Sequence, residues 1–140
     1  GLADAILKQR ILPDLDHFVS AAFEEAAIAF TARLAQTGRL TFIPERIGGW
    51  WDRNSEIDVL AINRTEQAAL FGECKWSVNP VGTAVLDDLK QKSQSLIKEY
   101  DLQNVRFALF SRTGFTPALE EIAKAEGIGL YTVASLVDMQ

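Results

Sequence analysis

The stretch EIDVLAINRTEQAALFGECKW, residues 56–76, decides the fold. It contains two apolar segments, 56–62 and about 69–76, joined by NRTEQA, whose composition and length suit a hairpin loop. Charges are planted in both segments: Glu56 and Asp58 enter the first, and Glu73 and Lys75 leave the second. Side chains alternate along a strand. Glu56, Asp58, Leu60 and Ile62 are therefore expected on one face of the first strand, and Ala69, Phe71, Glu73 and Lys75 on one face of the second. Folding the hairpin about the middle of its loop pairs Ile62 with Ala69 and Leu60 with Phe71. The same register sets Asp58 opposite Glu73 and Glu56 opposite Lys75.

A solvated hairpin face would show clean polar alternation. Here the charged face also carries Leu60 and Phe71, while Ile57, Val59, Ala61, Leu70 and Cys74 occupy the other. Opposed Cβ atoms lie ~4.5–5.5 Å apart, so Asp58 and Glu73 would repel unless a shared proton, Lys75 or a divalent cation compensates. Two carboxylates with a backbone carbonyl form an oxygen donor set suited to Mg²⁺ or Mn²⁺.

Outward from the hairpin, a helix is expected over about 14–37. Leu15, Phe18, Val19, Ala22, Phe23, Ala26, Phe30 and Leu34 recur at helical spacing, with Asp14 as N-cap and Gly38 as stop. LTFIPERI (40–47) reads as a strand in which Pro44 marks an edge or bulge, and GGWWDRNS as a turn region. A second helix is expected over about 83–99, with Val85, Leu89, Leu96 and Tyr100 on its apolar side. VRFALFS (105–111) is a continuous apolar run, as in a central strand buried on both faces. Thr116 and Pro117 open a third helix that Gly127 ends, followed by a last strand over 128–134 and a short tail helix. The predicted class is α/β, in the order α-β-β-β-α-β-α-β, with a mixed central sheet flanked by helices. Residues 1–13 read as a lead-in segment and 14–140 as the domain.

The totals fit that picture. A chain of 140 residues suits one core, burying roughly 68% of the unfolded surface at this size. No apolar run approaches the length of a membrane span, and the start shows no secretory pattern. One cysteine excludes an internal disulfide or a multi-cysteine zinc site and fits a reducing cytoplasm, and one histidine excludes a histidine-rich metal site. The net charge of −5 argues against a dedicated nucleic-acid binder, which shows a basic stripe. It leaves room for a metal-dependent nuclease, whose ligands are themselves acidic.

Asp58 followed by Glu73-Cys74-Lys75 on the next strand, behind a helix carrying glutamate, resembles the PD-(D/E)xK nuclease superfamily. The order α-β-β-β-α-β is similar to its common core. GGWWDRNSEIDVLAI, FGECKW and FSRTGF together resemble, over roughly residues 13–134, a domain of unknown function at the C-terminus of archaeal and bacterial P-loop ATPases. The resemblance implies a restriction-endonuclease-like fold and Mg²⁺- or Mn²⁺-dependent hydrolysis of nucleic acid, DNA first. It makes Asp58 and Glu73 metal ligands, with the Cys74 carbonyl as a further one. Lys75 becomes the lysine that positions water or stabilises developing charge, and Glu24 the helix glutamate with a water-mediated metal contact.

There are departures from the pattern. Ile57 stands where the superfamily's name has proline. No glutamine or tyrosine motif is clear on the second helix, although Lys90, Gln91 and Lys92 lie near its place. Glu24 points away from the main apolar stripe and shares a second one with Ala21, Ile28 and Ala35, with Glu25 as the fallback. The chain has no GxxxxGK[ST] stretch, so the implied partner is an upstream P-loop ATPase domain of the same protein. Arg112 is a candidate phosphate contact, and Trp50, Trp51 and Trp76 are candidate stacking residues, each with packing as the plainer role. A buried thiol is the plainer reading of Cys74, and capping or a surface role that of His17. The competing function is a non-catalytic module that keeps the nuclease fold for DNA docking or for regulating an attached ATPase.

Overall fold

The computed structural model describes residues 2–6 and 12–138. Of the expected lead-in, Leu2–Ile6 forms a short helix, α1, and residues 7–11 lie outside the described residues. Helix α2 spans Leu12–Gln36. It begins before Asp14, so Asp14 is inside the helix and not its N-cap.

Five strands form one sheet in the order β1-β2-β3-β4-β5. They are β1 (Arg46–Trp51), β2 (Glu56–Asn63), β3 (Ala68–Lys75), β4 (Asn104–Ser111) and β5 (Gly129–Thr132). Strands β1–β2 and β2–β3 pair antiparallel, and β3, β4 and β5 are mutually parallel. Helix α3 (Thr83–Glu99) carries the chain from β3 to β4, α4 (Pro117–Glu126) from β4 to β5, and α5 (Val133–Asp138) follows. This is the expected mixed α/β architecture, a central sheet flanked by helices.

The strand expected over 40–47 begins later. Pro44 has no N–H for a ladder, and side chains tie residues 43–45 to the end of β2 instead. Asn63 Nδ2 donates to the Ile43 carbonyl at 2.9 Å, and Glu45 Oε1 accepts from the Arg64 N–H at 2.9 Å. Pairing starts at Arg46↔Ile62 and runs on through the two glycines to Trp51↔Glu56. The first half of the stretch expected as a turn, residues 48–51, is therefore strand, and residues 52–55 form the turn. Gly48 and Gly49 are tolerated there because β1 is an edge strand with an irregular register.

Helices cover both faces. Phe23, Ala27, Phe30 and Leu34 of α2 and Leu136 of α5 pack with Val59, Ala61, Leu70, Cys74 and Phe110. Leu86, Leu89 and Leu96 of α3 and Leu119 of α4 pack with Ile57, Leu60, Ile62, Phe71 and Leu109 on the other face. Only part of the α2 stripe reaches the sheet. Phe18 is exposed, and Val19, Ala22 and Ala26 line an open apolar groove beside α5.

Helix α4 opens as its sequence dictates. Thr116 Oγ1 accepts from the Leu119 N–H, Pro117 fills the first turn, and Gly127 closes the helix at φ 72°. None of the helices is long and apolar enough to cross a membrane, among the described residues.

Candidate metal centre

The β2–β3 register is the one read from alternation: Ile62↔Ala69, Leu60↔Phe71 and Val59↔Gly72. The ladder stops there. Asp58 does not pair with Glu73, nor Glu56 with Lys75.

The reason is a bulge. On β1 one residue, Gly49, lies between Gly48 and Trp50, while on β2 two residues, Asp58 and Val59, lie between their partners Leu60 and Ile57. The extra residue lets Ile57 join Leu60 and Ile62 on the α3 face although it is an odd number of residues from both. Val59 faces α2, and the Asp58 carboxylate comes within reach of Glu24 of α2. A bulge of this kind re-aims a side chain near the end of pairing.

Released from the ladder, Asp58 uses its side chain in place of its backbone. Its Oδ2 accepts from the Cys74 N–H at 2.9 Å, which caps the hairpin and orients the carboxylate. Carboxylate oxygens of Glu24, Glu56 and Asp58 lie within 4.8 Å of one another. Glu24 is half-buried on the face of α2 that also carries Ile28, the second stripe expected with Ala21 and Ala35. Glu25 is exposed and outside the group.

The proximity bears on the protonation of Glu24. Burial, then the charges of Asp58 and Glu56, push the Glu24 carboxyl above its usual range, against a smaller opposing effect of His17. Glu73 is buried on the α3 face of β3. Burial pushes its pKa up to about 7, with the nearby Asp58 adding to the rise and Lys92 opposing it. Lys92 of α3 places Nζ 2.7 Å from Glu73 Oε2 and 3.4 Å from Asp88 Oδ2. Burial works against its charge, but the two carboxylates outweigh burial and raise its pKa.

Lys75 is exposed at the end of β3 and forms no ion pair among the described residues. Burial pushes the Cys74 thiol far up, so the sulfur stays protonated and is a poor ligand; its backbone N–H is what the site uses. Arg112 donates its backbone N–H to the Lys75 carbonyl and stacks its guanidinium 4.9 Å from the Trp76 ring centroid.

The structure thus brings together Glu24, Glu56 and Asp58, with Glu73 beside Asp58 under Lys92, and leaves Lys75 at the rim. Sequence reasoning missed two members. Glu56 was paired with Lys75 because the bulge was not foreseen. Lys92 was passed over although it lies three residues after Leu89 and four before Leu96, on the side of α3 that is buried, where a lysine seldom sits without a partner.

Three clustered carboxylates are a hard oxygen donor set and fit a divalent cation such as Mg²⁺ or Mn²⁺, whose charge would relieve their mutual repulsion. Fold and site together define a mixed α/β domain, its five-stranded sheet flanked by helices, with an acidic cluster at the end of its antiparallel hairpin. The family model for DUF234, archaeal and bacterial proteins of unknown function, matches residues 1–100, and the chain belongs to that family.

An uncharacterized protein of Methanocaldococcus jannaschii is 37% identical over 68 residues, 49% of this chain and 16% of that protein. The chain therefore spans only a small part of this relative's length. Among solved structures, the protein of unknown function AF1548 aligns with 83% of this chain and 65% of its own, at a TM-score of 0.52 and 19% identity. A repair endonuclease from Pyrococcus abyssi aligns with 74% of this chain and 43% of its own, at a TM-score of 0.46 and 20% identity. The first is a likeness of fold alone; the second, at its lower score, carries no inference.

Proposed function

We propose that this domain is a metal-dependent nuclease that hydrolyses phosphodiester bonds in nucleic acid, DNA in the first instance. The observation that carries the reading is the convergence of Glu24, Glu56 and Asp58 within 4.8 Å at a bulge beside the GECK strand end. The nuclease label comes from the motif resemblance. So does the proposal that the domain belongs to a larger protein with an upstream P-loop ATPase region; a cytoplasmic setting is proposed from the single cysteine.

Glu24, Glu56 and Asp58 would hold the cation, with Glu73 and the Cys74 carbonyl as further ligands. Once bound, it supplies Lewis-acid polarisation of the phosphate and a more acidic water. The chain's own groups do the rest. Asp58 is held in place by the Cys74 N–H. Lys92 keeps a positive charge against Glu73 and draws its carboxyl toward the ionised form. Lys75, exposed at the strand end, is free to meet the phosphoryl group and stabilise its growing negative charge.

The test is Mg²⁺- or Mn²⁺-dependent cleavage of labelled DNA, abolished by Asp58→Ala and by Lys75→Ala. Sustained cleavage in both variants rules this site out as the active one.

A second reading is favoured by one observation: Lys92 already neutralises Glu73 without any cation. In a non-catalytic module that keeps the fold for docking or for regulating an attached ATPase, this pair would be permanent. That reading expects no cleavage with any divalent metal, and robust turnover by the isolated domain removes it.

A further inference from the structure

The three tryptophans have different surroundings. Trp50 is half-buried and packs against the cluster that contains Ile57, Leu60 and Ile62. Trp76 has Phe23 5.1 Å away and the Arg112 guanidinium 4.9 Å away, so its ring is already occupied. Trp51 is 74% exposed and makes no ring contact among the described residues.

Its position is specific. Trp51 is the direct cross-strand partner of Glu56, so the two side chains share a sheet face with Cβ atoms ~4.5–5.5 Å apart. That face is the one on which Glu56 meets Glu24 and Asp58. By alternation, the next residue of β1 on that face is Gly49, which places no side chain between Trp51 and the acidic group. Strand β1 is an edge strand, so among the described residues no further strand pairs alongside Trp51.

The turn that follows is fixed. Asp52 Oδ1 accepts from the Asn54 and Ser55 N–H groups, both at 2.8 Å, and the Asp52 N–H donates to the Ser55 carbonyl at 2.9 Å. These donors hold the Asp52 carboxyl below its usual range. Arg53 at the tip is exposed and forms no ion pair among the described residues. A rigid turn therefore presents an open indole face and a free cation beside the proposed metal centre. This matches the needs of a single strand, in which a base offers its π-face and the phosphate its charge.

We propose that Trp51 is a stacking platform for an unpaired nucleobase, with Arg53 on the adjoining phosphate, so that the domain prefers single-stranded or frayed nucleic acid. This rests on the nuclease reading and names its substrate class. Base–aromatic stacking of roughly 1–3 kcal/mol corresponds to about 5- to 150-fold in affinity.

The experiment measures anisotropy of a fluorescein-labelled oligothymidylate and of a duplex of equal length, with Ca²⁺ present. Cleavage of both by the same proteins in Mn²⁺ is followed in parallel. Wild type is expected to bind the single strand more tightly. Trp51→Ala should weaken that binding about tenfold or more with its melting temperature unchanged, leave duplex binding alone, and be largely rescued in Trp51→Phe. If Trp51→Ala binds the single strand like wild type while wild type still cleaves, the platform is wrong and the nuclease reading stands. If both variants lose single-strand and duplex binding equally, Trp51 is structural and the platform is wrong. If wild type neither binds nor cleaves with either metal, the nuclease reading falls and takes the platform with it.

Discussion

Lys92 of α3 and Glu73 of β3 form an ion pair of 2.7 Å across the interface between helix and sheet, with the carboxylate buried and the ammonium mostly so. The pair sets how the metal-free site behaves. Glu73 lies beside Asp58, so without Lys92 it would have only burial and a like charge around it, both of which favour the protonated form.

Removal of that partner should therefore cost stability in a pH-dependent way. At pH 8, Lys92→Met leaves a buried carboxyl to be either charged alone or protonated against the solvent, and a loss of about 1–3 kcal/mol is expected. At pH 5 Glu73 is already protonated in both proteins and the loss should shrink. Urea unfolding of the two proteins at both pH values checks this; an equal loss at pH 5 and pH 8 would show that Lys92 contributes packing and not charge.

Wild type without metal should itself lose stability as pH rises. Glu73 has a folded pKa of about 7 against an ordinary value of 4.5. A raised folded pKa means that the native state binds the extra proton. Its contribution is full below about pH 4.5 and is lost as pH passes through 7, on the order of 1–3 kcal/mol in total. The Glu24 shift has the same sign. Melting temperature from pH 5 to pH 8 with chelator present should fall, and saturating Mn²⁺ should flatten or reverse the slope, because the cation replaces the proton.

Asp58→Asn should separate binding from folding. The amide oxygen can still accept the Cys74 N–H, and one of the three mutually repelling charges is gone. The metal-free variant is expected to be at least as stable as wild type at pH 8. Wild type should gain stability with Mn²⁺ by RT ln(1 + [L]/Kd), whereas the variant should gain little. Equal Mn²⁺-induced shifts in the two would place the cation elsewhere.

Gly72, the first residue of GECK in β3, is held by space. A Cβ there would sit 3.0 Å from Val59 Cβ and 3.2 Å from Phe110 Cε2. Gly72→Ala should cost about 1–3 kcal/mol through overpacking, read as a lower urea midpoint with an unchanged slope.

Much of this could be read from the chain. Hydrophobic alternation fixed the hairpin register from Ile62↔Ala69 to Leu60↔Phe71, because a one-residue slip would turn every buried side chain outward. The bulge at Asp58–Val59 was not legible. It depends on how β1 pairs with β2, and Gly48 and Gly49 read locally as a turn while tertiary pairing makes them strand. That one irregularity moved Glu56 from the expected Lys75 pair into the carboxylate group. Lys92 was hidden for a different reason: its partner is 19 residues away on another element, a distance no local pattern encodes.

The most direct test of the account is anomalous difference density from a crystal of this domain soaked in Mn²⁺. The account expects one peak within coordination distance of carboxylate oxygens of Glu24, Glu56 and Asp58, on the α2 side of the β2 bulge. Saturating Mn²⁺ with no peak at these three residues would contradict it.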